Sequence, residues 1–294
     1  MLKPLLPLER LDGQRAIVTG ANSGLGYETA LALSGLGAEV LLAVRNTDAG
    51  NAAAQKIRSI HPDARLTVSF LDLADLTSVR NFVATEAEHP LDILVNNAGI
   101  MAPPFLRSVD GIESQMAVNY VSHFALTAGL FPTLMQGQGA RVVSLSSVAH
   151  RRGKFATASV EEVRGTEANY SAWNRYGATK LACLMFALEL DRRVKKAGLP
   201  IVSVAAHPGW ASTNLQKGGN GRGNFLAQNA ATGARSQIIA AASAGLTGGE
   251  FIGPRLEIWG TPRVFTGIPL AYDETLAATL WRSTEEITGT TFAP

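Results

Sequence analysis

The chain has 294 residues, 46% of them hydrophobic and 17% charged, with a formal net charge of +2 and one cysteine, Cys183. That length and balance describe a folded chain with an ample core, and the charge is too small to point to nucleic acid or an anionic membrane as partner. A lone cysteine excludes an intramolecular disulfide and a multi-thiolate metal site, which fits a reducing cytoplasm. The first ten residues hold an apolar run too short, and twice broken by proline, for a secretory signal or membrane anchor. No later stretch reaches the ~18 uninterrupted apolar residues of a spanning helix.

Ala16-Ile17-Val18 reads as a first strand and residues 27–33 as a helix. Between them lies Thr19-Gly20-Ala21-Asn22-Ser23-Gly24-Leu25-Gly26, with glycines spaced G-x-x-x-G-x-G. Glycine permits a sharp bend or the close approach of a phosphate. A helix starting there turns its unpaired N–H groups and positive dipole end toward the anion. The turn reads as a dinucleotide cradle or as a plain glycine turn of a βα unit. The helix over 25–36 closes at Gly37. Residues 39–44 form a near-continuous apolar run, the pattern of a parallel strand covered on both faces, ending at Arg45. A helix over 49–60 stops at His61-Pro62. A third strand over 66–70 runs into Leu71-Asp72-Leu73, and a helix covers 76–88. The fourth strand, 93–95, leads into Asn96-Asn97-Ala98-Gly99.

One long helix is expected over 111–135, then a strand over 141–146. Residues 150–168 show no periodicity and read as an irregular excursion. A strong helix begins at 170 or 173 and ends at 196, with Arg192, Arg193, Lys195 and Lys196 where the dipole favours cations. A sixth strand covers 201–205. Residues 217–224 read as a mobile loop and 227–244 as a helix; Phe251-Ile252 and Glu257-Ile258-Trp259 could supply the last strand, before a helix over 273–287. Strands alternating with helices at this spacing build one open, mostly parallel sheet wound on both faces, in one domain over 1–294.

In such a sheet a ligand lies at the carboxyl ends of the strands, beside the switch in strand order. The polar or glycine-rich strand ends are the turn after Thr19, Arg45, Asp72 and the Asn96–Gly99 stretch. An acidic residue in place of Arg45 would bind a ribose 2′-hydroxyl. A guanidinium suits a 2′-phosphate, so NADP(H) is expected over NAD(H); the alternative is a surface arginine. In Tyr176-Gly177-Ala178-Thr179-Lys180 the tyrosine and lysine share a helix face. There Lys180 would lower the Tyr176 pKa from about 10 and fit the phenol to trade a proton with an alcohol or ketone. As a bare pattern, Y-x-x-x-K also occurs by chance. Ser144, Ser146 and Ser147 cluster at one strand end, which could be polar without being catalytic. Cys183 reads as core. Trp173 and Trp210 line an apolar pocket or pack in the core.

Thr19-Gly20-x-x-x-Gly24-x-Gly26, Asn96-Asn97-Ala98-Gly99, Asn119, Ser147, Tyr176-x-x-x-Lys180 and Pro208-Gly209, in this order, resemble the short-chain dehydrogenase/reductase family over nearly the whole chain. Ala43-Val44-Arg45-Asn46, Ser146-Ser147-Val148-Ala149-His150, His207-Pro208-Gly209, and the tail from Leu280-Trp281 through Thr288-Gly289 are most similar to its retinol dehydrogenase-like subgroup. The resemblance implies a Rossmann-type α/β domain with a mostly parallel seven-stranded sheet and helices on both faces. It implies an oxidoreductase that interconverts a small-molecule carbonyl and an alcohol, with hydride passing between the nicotinamide and the carbonyl carbon. By the same resemblance Tyr176 is the acid/base, Ser147 orients the carbonyl, Lys180 holds the nicotinamide ribose and Asn119 holds a proton-relay water. The cofactor contacts it implies are Gly20, Asn22, Ser23, Gly24, Leu25 and Gly26 in the turn, Asp72 and Leu73 at the adenine, and Asn97, Ala98 and Gly99 at the adenosine ribose. Pro208, Gly209 and Thr213 would flank the nicotinamide amide.

No metal is expected, and a homodimer or homotetramer built on two long helices is implied. The other readings are a nucleotide sensor or scaffold without turnover, and a C=C reductase of the protochlorophyllide reductase type. Three features depart from the pattern. Ser147 and Tyr176 stand 29 positions apart, so that 150–168 is expected to loop over the substrate. Ser122 replaces a frequent glycine, and the apolar N-terminal segment of the membrane-anchored retinol enzymes has no counterpart in the first residues.

Overall fold

The structure, a computed structural model, describes residues 7–168, 170–210 and 228–294. Eight strands form one sheet: β1 (Arg15–Thr19), β2 (Glu39–Val44), β3 (Leu66–Phe70), β4 (Ile93–Asn96), β5 (Arg141–Leu145), β6 (Val202–Ala206), β7 (Phe251–Pro254) and β8 (Pro262–Phe265). Their order is β3-β2-β1-β4-β5-β6-β7-β8; all are parallel except β8, which pairs antiparallel with β7. The expected count of seven is therefore one short. Residues 257–259 lie in the turn between β7 and β8, with Glu257 in the left-handed region at φ 65°. The eighth strand is a four-residue edge strand that begins with a proline, a position where a missing N–H is tolerated.

Period-two alternation sends the strands' apolar side chains to two cores. Ile17, Leu41, Leu94 and Val142 face one side. Val18, Leu42, Val95 and Val143 face the other. Helices α1 (Gly24–Gly35), α2 (Thr47–Ile60) and α9 (Ala230–Ala242) cover the second face. The first is covered by α3 (Leu76–Glu86), the helical run from Ser114, α8 (Ala172–Lys196) and α10 (Glu274–Thr288).

The single long helix expected over 111–135 is broken into α4 (Ser114–Met116), a π turn (Ala117–Val121), α5 (Ser122–Gly129) and α6 (Phe131–Leu134). The Glu113 carboxylate accepts the N–H groups of Gln115 and Met116, each at 3.0 Å, and so begins α4. Pro132, with no N–H to give, starts a new turn at α6. The supposedly irregular 150–168 stretch contains the end of a 3₁₀ turn (Val148–Arg152) and α7 (Val160–Arg164).

Candidate active site

Because β1 to β7 run parallel, the segments leaving β1 to β6 emerge on one edge, and the order reverses between β1 and β4. Gly20, Asn22 and Ser23 form the β1–α1 turn there, and Gly24, Leu25 and Gly26 are the first residues of α1. Thr19 closes β1, and its Oγ1 accepts the N–H groups of Asn97 and Ala98 at 2.9 Å each. Asn97 Nδ2 returns a bond to the Thr19 carbonyl at 2.7 Å. From α9, the Gln237 amide reaches the Leu25 carbonyl (3.1 Å), Asn97 Oδ1 (3.2 Å) and Thr29 Oγ1. Ser23 makes no side-chain cap and the first turn of α1 carries no acid.

A Cβ on Gly26 would stand 2.5 Å from the Gly20 oxygen and 2.6 Å from Asn97 Nδ2, so the turn closes only around a hydrogen at that position. Gly26→Ala is expected to cost roughly 1–3 kcal/mol. An unchanged urea midpoint would mean that the turn can widen.

Arg45 follows the last residue of β2, exposed, with no hydrogen bond or ion pair among the described residues. Asp72 Oδ1 accepts the Ala74 N–H at 2.9 Å and shapes its own turn, while Asp75 caps α3 through the Thr77 N–H at 2.7 Å. The neighbouring Leu73 carbonyl accepts the Ser122 hydroxyl at 2.7 Å. The serine that departs from the family pattern thus ties α5 to the β3 strand end.

Asn119 lies in the π turn, a distortion that recurs at functional sites. Its amide is fully engaged: Oδ1 accepts the Ile100 N–H (2.8 Å), and Nδ2 donates to the Ile100 carbonyl (3.0 Å) and to Thr179 Oγ1 on α8 (2.9 Å). Lys180 Nζ donates to the Leu145 carbonyl at 3.0 Å and lies 5.8 Å from the centre of the Tyr176 ring. It lies on the open side of Gly99, where an added Cβ would stand 3.5 Å from it. Tyr176 is only 7% exposed. Trp173 is more than half exposed and meets its ring edge-on at 6.2 Å, so it is a rim residue rather than core.

Among the three clustered serines, Ser144 and Ser146 are buried, and Ser146 Oγ donates to the Lys180 carbonyl at 2.7 Å. Ser147 is half-buried, and its Oγ accepts the Ala149 N–H at 3.2 Å. The 29-residue separation from Tyr176 is closed by tertiary packing. A Cβ on Gly177 would stand 2.9 Å from the Ala149 oxygen, so the start of α8 rests directly on the turn that follows Ser147. Pro208 and Gly209 follow β6, with the Gly209 N–H 3.3 Å from His207 Nδ1. Trp210 is half-buried. Thr213, like the expected loop at 217–224, lies outside the described residues.

Several site residues escaped the sequence reading. Gln237 and His123 are buried polar side chains on apolar helix faces, and that mismatch was their only signal. Burial pushes His123 down to about 4 and His207 to about 3, so both rings are neutral at pH 7. Cys183 is core, as expected, but its thiol also donates to the Asn119 carbonyl at 3.1 Å. Among the described residues no helix is long and apolar enough to cross a membrane, and no three His, Cys, Asp or Glu side chains cluster as metal ligands would.

Residues 14–221 match the short chain dehydrogenase family. Retinol dehydrogenase 11 of Mus musculus is 40% identical over 211 residues, 71% of this chain and 65% of that protein. The chloroplastic short-chain dehydrogenase TIC 32 B of Brassica napus is 39% identical over 207 residues, 68% of this chain and 64% of that one. The match therefore spans less than two thirds of the length of these relatives. A crystal structure of an uncharacterized protein from Mycobacterium paratuberculosis, 39% identical, superposes with a TM-score of 0.84 over 99% of both chains. A short chain dehydrogenase from Shigella flexneri solved with NADP, 19% identical, shares the fold at a TM-score of 0.66, over 84% of this chain and 99% of that one.

Proposed function

Because the chain belongs to the short chain dehydrogenase family, we propose that it is an NADP(H)-dependent oxidoreductase interconverting a ketone or aldehyde and an alcohol. One observation carries the reading. Helix α8 delivers Tyr176 and Lys180 to the strand edge that holds the glycine turn, with Lys180 Nζ between the Leu145 carbonyl and Gly99.

The residues fit a dinucleotide, since Gly26 leaves no room for a Cβ where the chain closes on Gly20 and Asn97, and the first turn of α1 is free of acids. The main chain from Gly20 to Gly26 would hold the pyrophosphate, Asp72 and Leu73 the adenine, and Asn97 to Gly99 the adenosine ribose. Lys180 would hold the nicotinamide ribose, with Pro208, Gly209 and Thr213 along the amide. The nicotinamide, when bound, supplies or accepts the hydride. In the reductive direction Ser147 Oγ donates a hydrogen bond to the substrate oxygen and Tyr176 Oη gives that oxygen its proton. Lys180 Nζ, 5.8 Å from the ring centre, favours the negative charge left on the phenolic oxygen. Asn119, its amide engaged with Ile100 and Thr179, anchors the relay that returns a proton through Lys180.

The exposed guanidinium of Arg45, without a partner among the described residues, supports a 2′-phosphate partner. Arg45→Asp is expected to lower kcat/KM for NADPH about 10- to 100-fold, the worth of a charge-assisted hydrogen bond, while leaving NADH activity unchanged or higher. Equal preference in the parent enzyme, or no loss in the variant, would defeat the NADP(H) assignment. The reaction class is tested by titrating the protein with NADPH and then screening carbonyl compounds and conjugated alkenes for NADPH consumption. Consumption with alkenes alone would replace carbonyl reduction by C=C reduction. Binding without consumption by any compound would favour a sensor.

A further inference from the structure

His123 has no part in the roles assigned above, yet it is 3% exposed and sits at the core of the site. It is the second residue of α5, one turn after Asn119. Its Nδ1 lies 3.1 Å from the Asn119 carbonyl and its Nε2 2.9 Å from Thr19 Oγ1. A carbonyl oxygen only accepts, so Nδ1 carries the hydrogen. In a neutral ring Nε2 then accepts, and the Thr19 hydroxyl, which has the Val95 carbonyl at 3.4 Å as its other acceptor, donates to the nearer ring nitrogen at 2.9 Å. The Thr19 oxygen in turn accepts the N–H groups of Asn97 and Ala98. Each direction along this line is fixed by its neighbour. It runs from the Asn97-Ala98 backbone through Thr19 and His123 to the Asn119 carbonyl, joining three separate segments. Protonation would make Nε2 a donor, reverse the Thr19 bond and turn that hydroxyl to the longer Val95 contact, while Thr19 Oγ1 already accepts two N–H groups. Burial and the nearby Lys180 ammonium oppose protonation of the ring, while the Asn119 carbonyl favours it; burial is the largest effect.

We propose that His123 is a positioning residue: a neutral, Nδ1-protonated imidazole that sets the Asn97-Ala98 segment and the Asn119 turn in one register. This rests on the functional reading for what those two segments do, but not for the hydrogen-bonded line itself.

The two halves can be separated by substitution. In His123→Asn the amide nitrogen can take the place of Nδ1 and keep a donor for the Asn119 carbonyl, while nothing reaches Thr19. In His123→Gln the longer side chain can offer its oxygen to Thr19, while the donor to Asn119 is lost. Loss of the Thr19 bond should loosen Asn97 and Ala98, so His123→Asn is expected to speed amide hydrogen exchange at both and to weaken NADPH binding about tenfold. Its kcat at saturating NADPH should stay within about threefold of the parent. Thr19→Val should reproduce the NADPH effect.

His123→Gln should show the reverse split, with NADPH affinity within about threefold and kcat down about tenfold. Nitrogen NMR of the imidazoles in the parent protein should give, for the signal lost in His123→Asn, a neutral ring with hydrogen on Nδ1. An Nε2-protonated ring, or two variants that change affinity and kcat in parallel, would overturn the proposal. Should Tyr176→Phe instead retain activity, the functional reading fails, while the tautomer and amide exchange still decide the role of His123.

Discussion

Tyr176→Phe is expected to lower kcat by about 10²- to 10⁴-fold, the range that one acid/base group contributes, with NADPH affinity within about twofold of the parent. The substitution isolates one atom. The ring keeps its edge contact with Trp173 and its place beside Lys180 Nζ, so neither α8 nor the turn after Ser147 has reason to move. The Lys180 ammonium keeps its bond to the Leu145 carbonyl and remains available to a ribose. What disappears is the hydroxyl proposed to act on the substrate oxygen; the other hydroxyl of the Y-x-x-x-K motif, on Thr179, is taken up by the Tyr176 carbonyl and Asn119. The measurement pairs steady-state rates, on whichever carbonyl the screen yields, with the NADPH dissociation constant from fluorescence titration. Activity near the parent level would remove Tyr176 from the chemistry, and lost NADPH binding would recast it as part of the cofactor site.

Arg175→Met carries the largest expected stability change, about 3–5 kcal/mol, measured by urea unfolding. Arg175 Nε bonds Glu113 Oε2 at 2.9 Å, and its other nitrogens donate to the carbonyls of Glu162 (3.0 Å) and Val163 (2.6 Å) at the end of α7. The Glu113 side chain is wholly buried and that of Arg175 only 12% exposed. Removing the guanidinium leaves a carboxylate in the interior held only by main-chain N–H groups and polar neighbours, without its cation. A buried pair need not add net stability over an apolar one, so the cost is that of the orphaned charge. Accordingly the double variant Glu113→Gln/Arg175→Met should unfold at higher urea than the sum of the single changes predicts. A loss under ~1 kcal/mol in Arg175→Met would show that water or another side chain takes over.

The same pair has a functional side. Glu113 begins the helical run that leads to Asn119, and Arg175 stands immediately before Tyr176. Their bond therefore fixes the start of one site element against the start of the other. It lay outside the sequence reading because nothing in a lone glutamate and a lone arginine 62 positions apart marks them as partners. The π turn escaped for a related reason. An apolar run with helical spacing looks continuous whether or not one extra residue is accommodated, and the contacts that accommodate it come from Leu73, Ile100 and α8.

The residues alone determined the alternation of strand and helix, the direction of the parallel strands and the edge on which their carboxyl ends meet. Each of these follows from short-range pattern: apolar runs, glycine turns, caps and the period of the side chains. The 25-residue helix α8 came out almost to the residue because its basic end and the following glycine are local signals. Tertiary structure decided which polar atoms face one another. The burial of Ser144 and Ser146 beside a half-buried Ser147, the packing of Gly177 on the turn that follows it and the bonds of His123 to Thr19 and Asn119 all depend on how separate segments pack together. A hydrogen bond at 2.9 Å needs both partners placed to within a few tenths of an ångström, and only the assembled cores on the two faces of the sheet place them so.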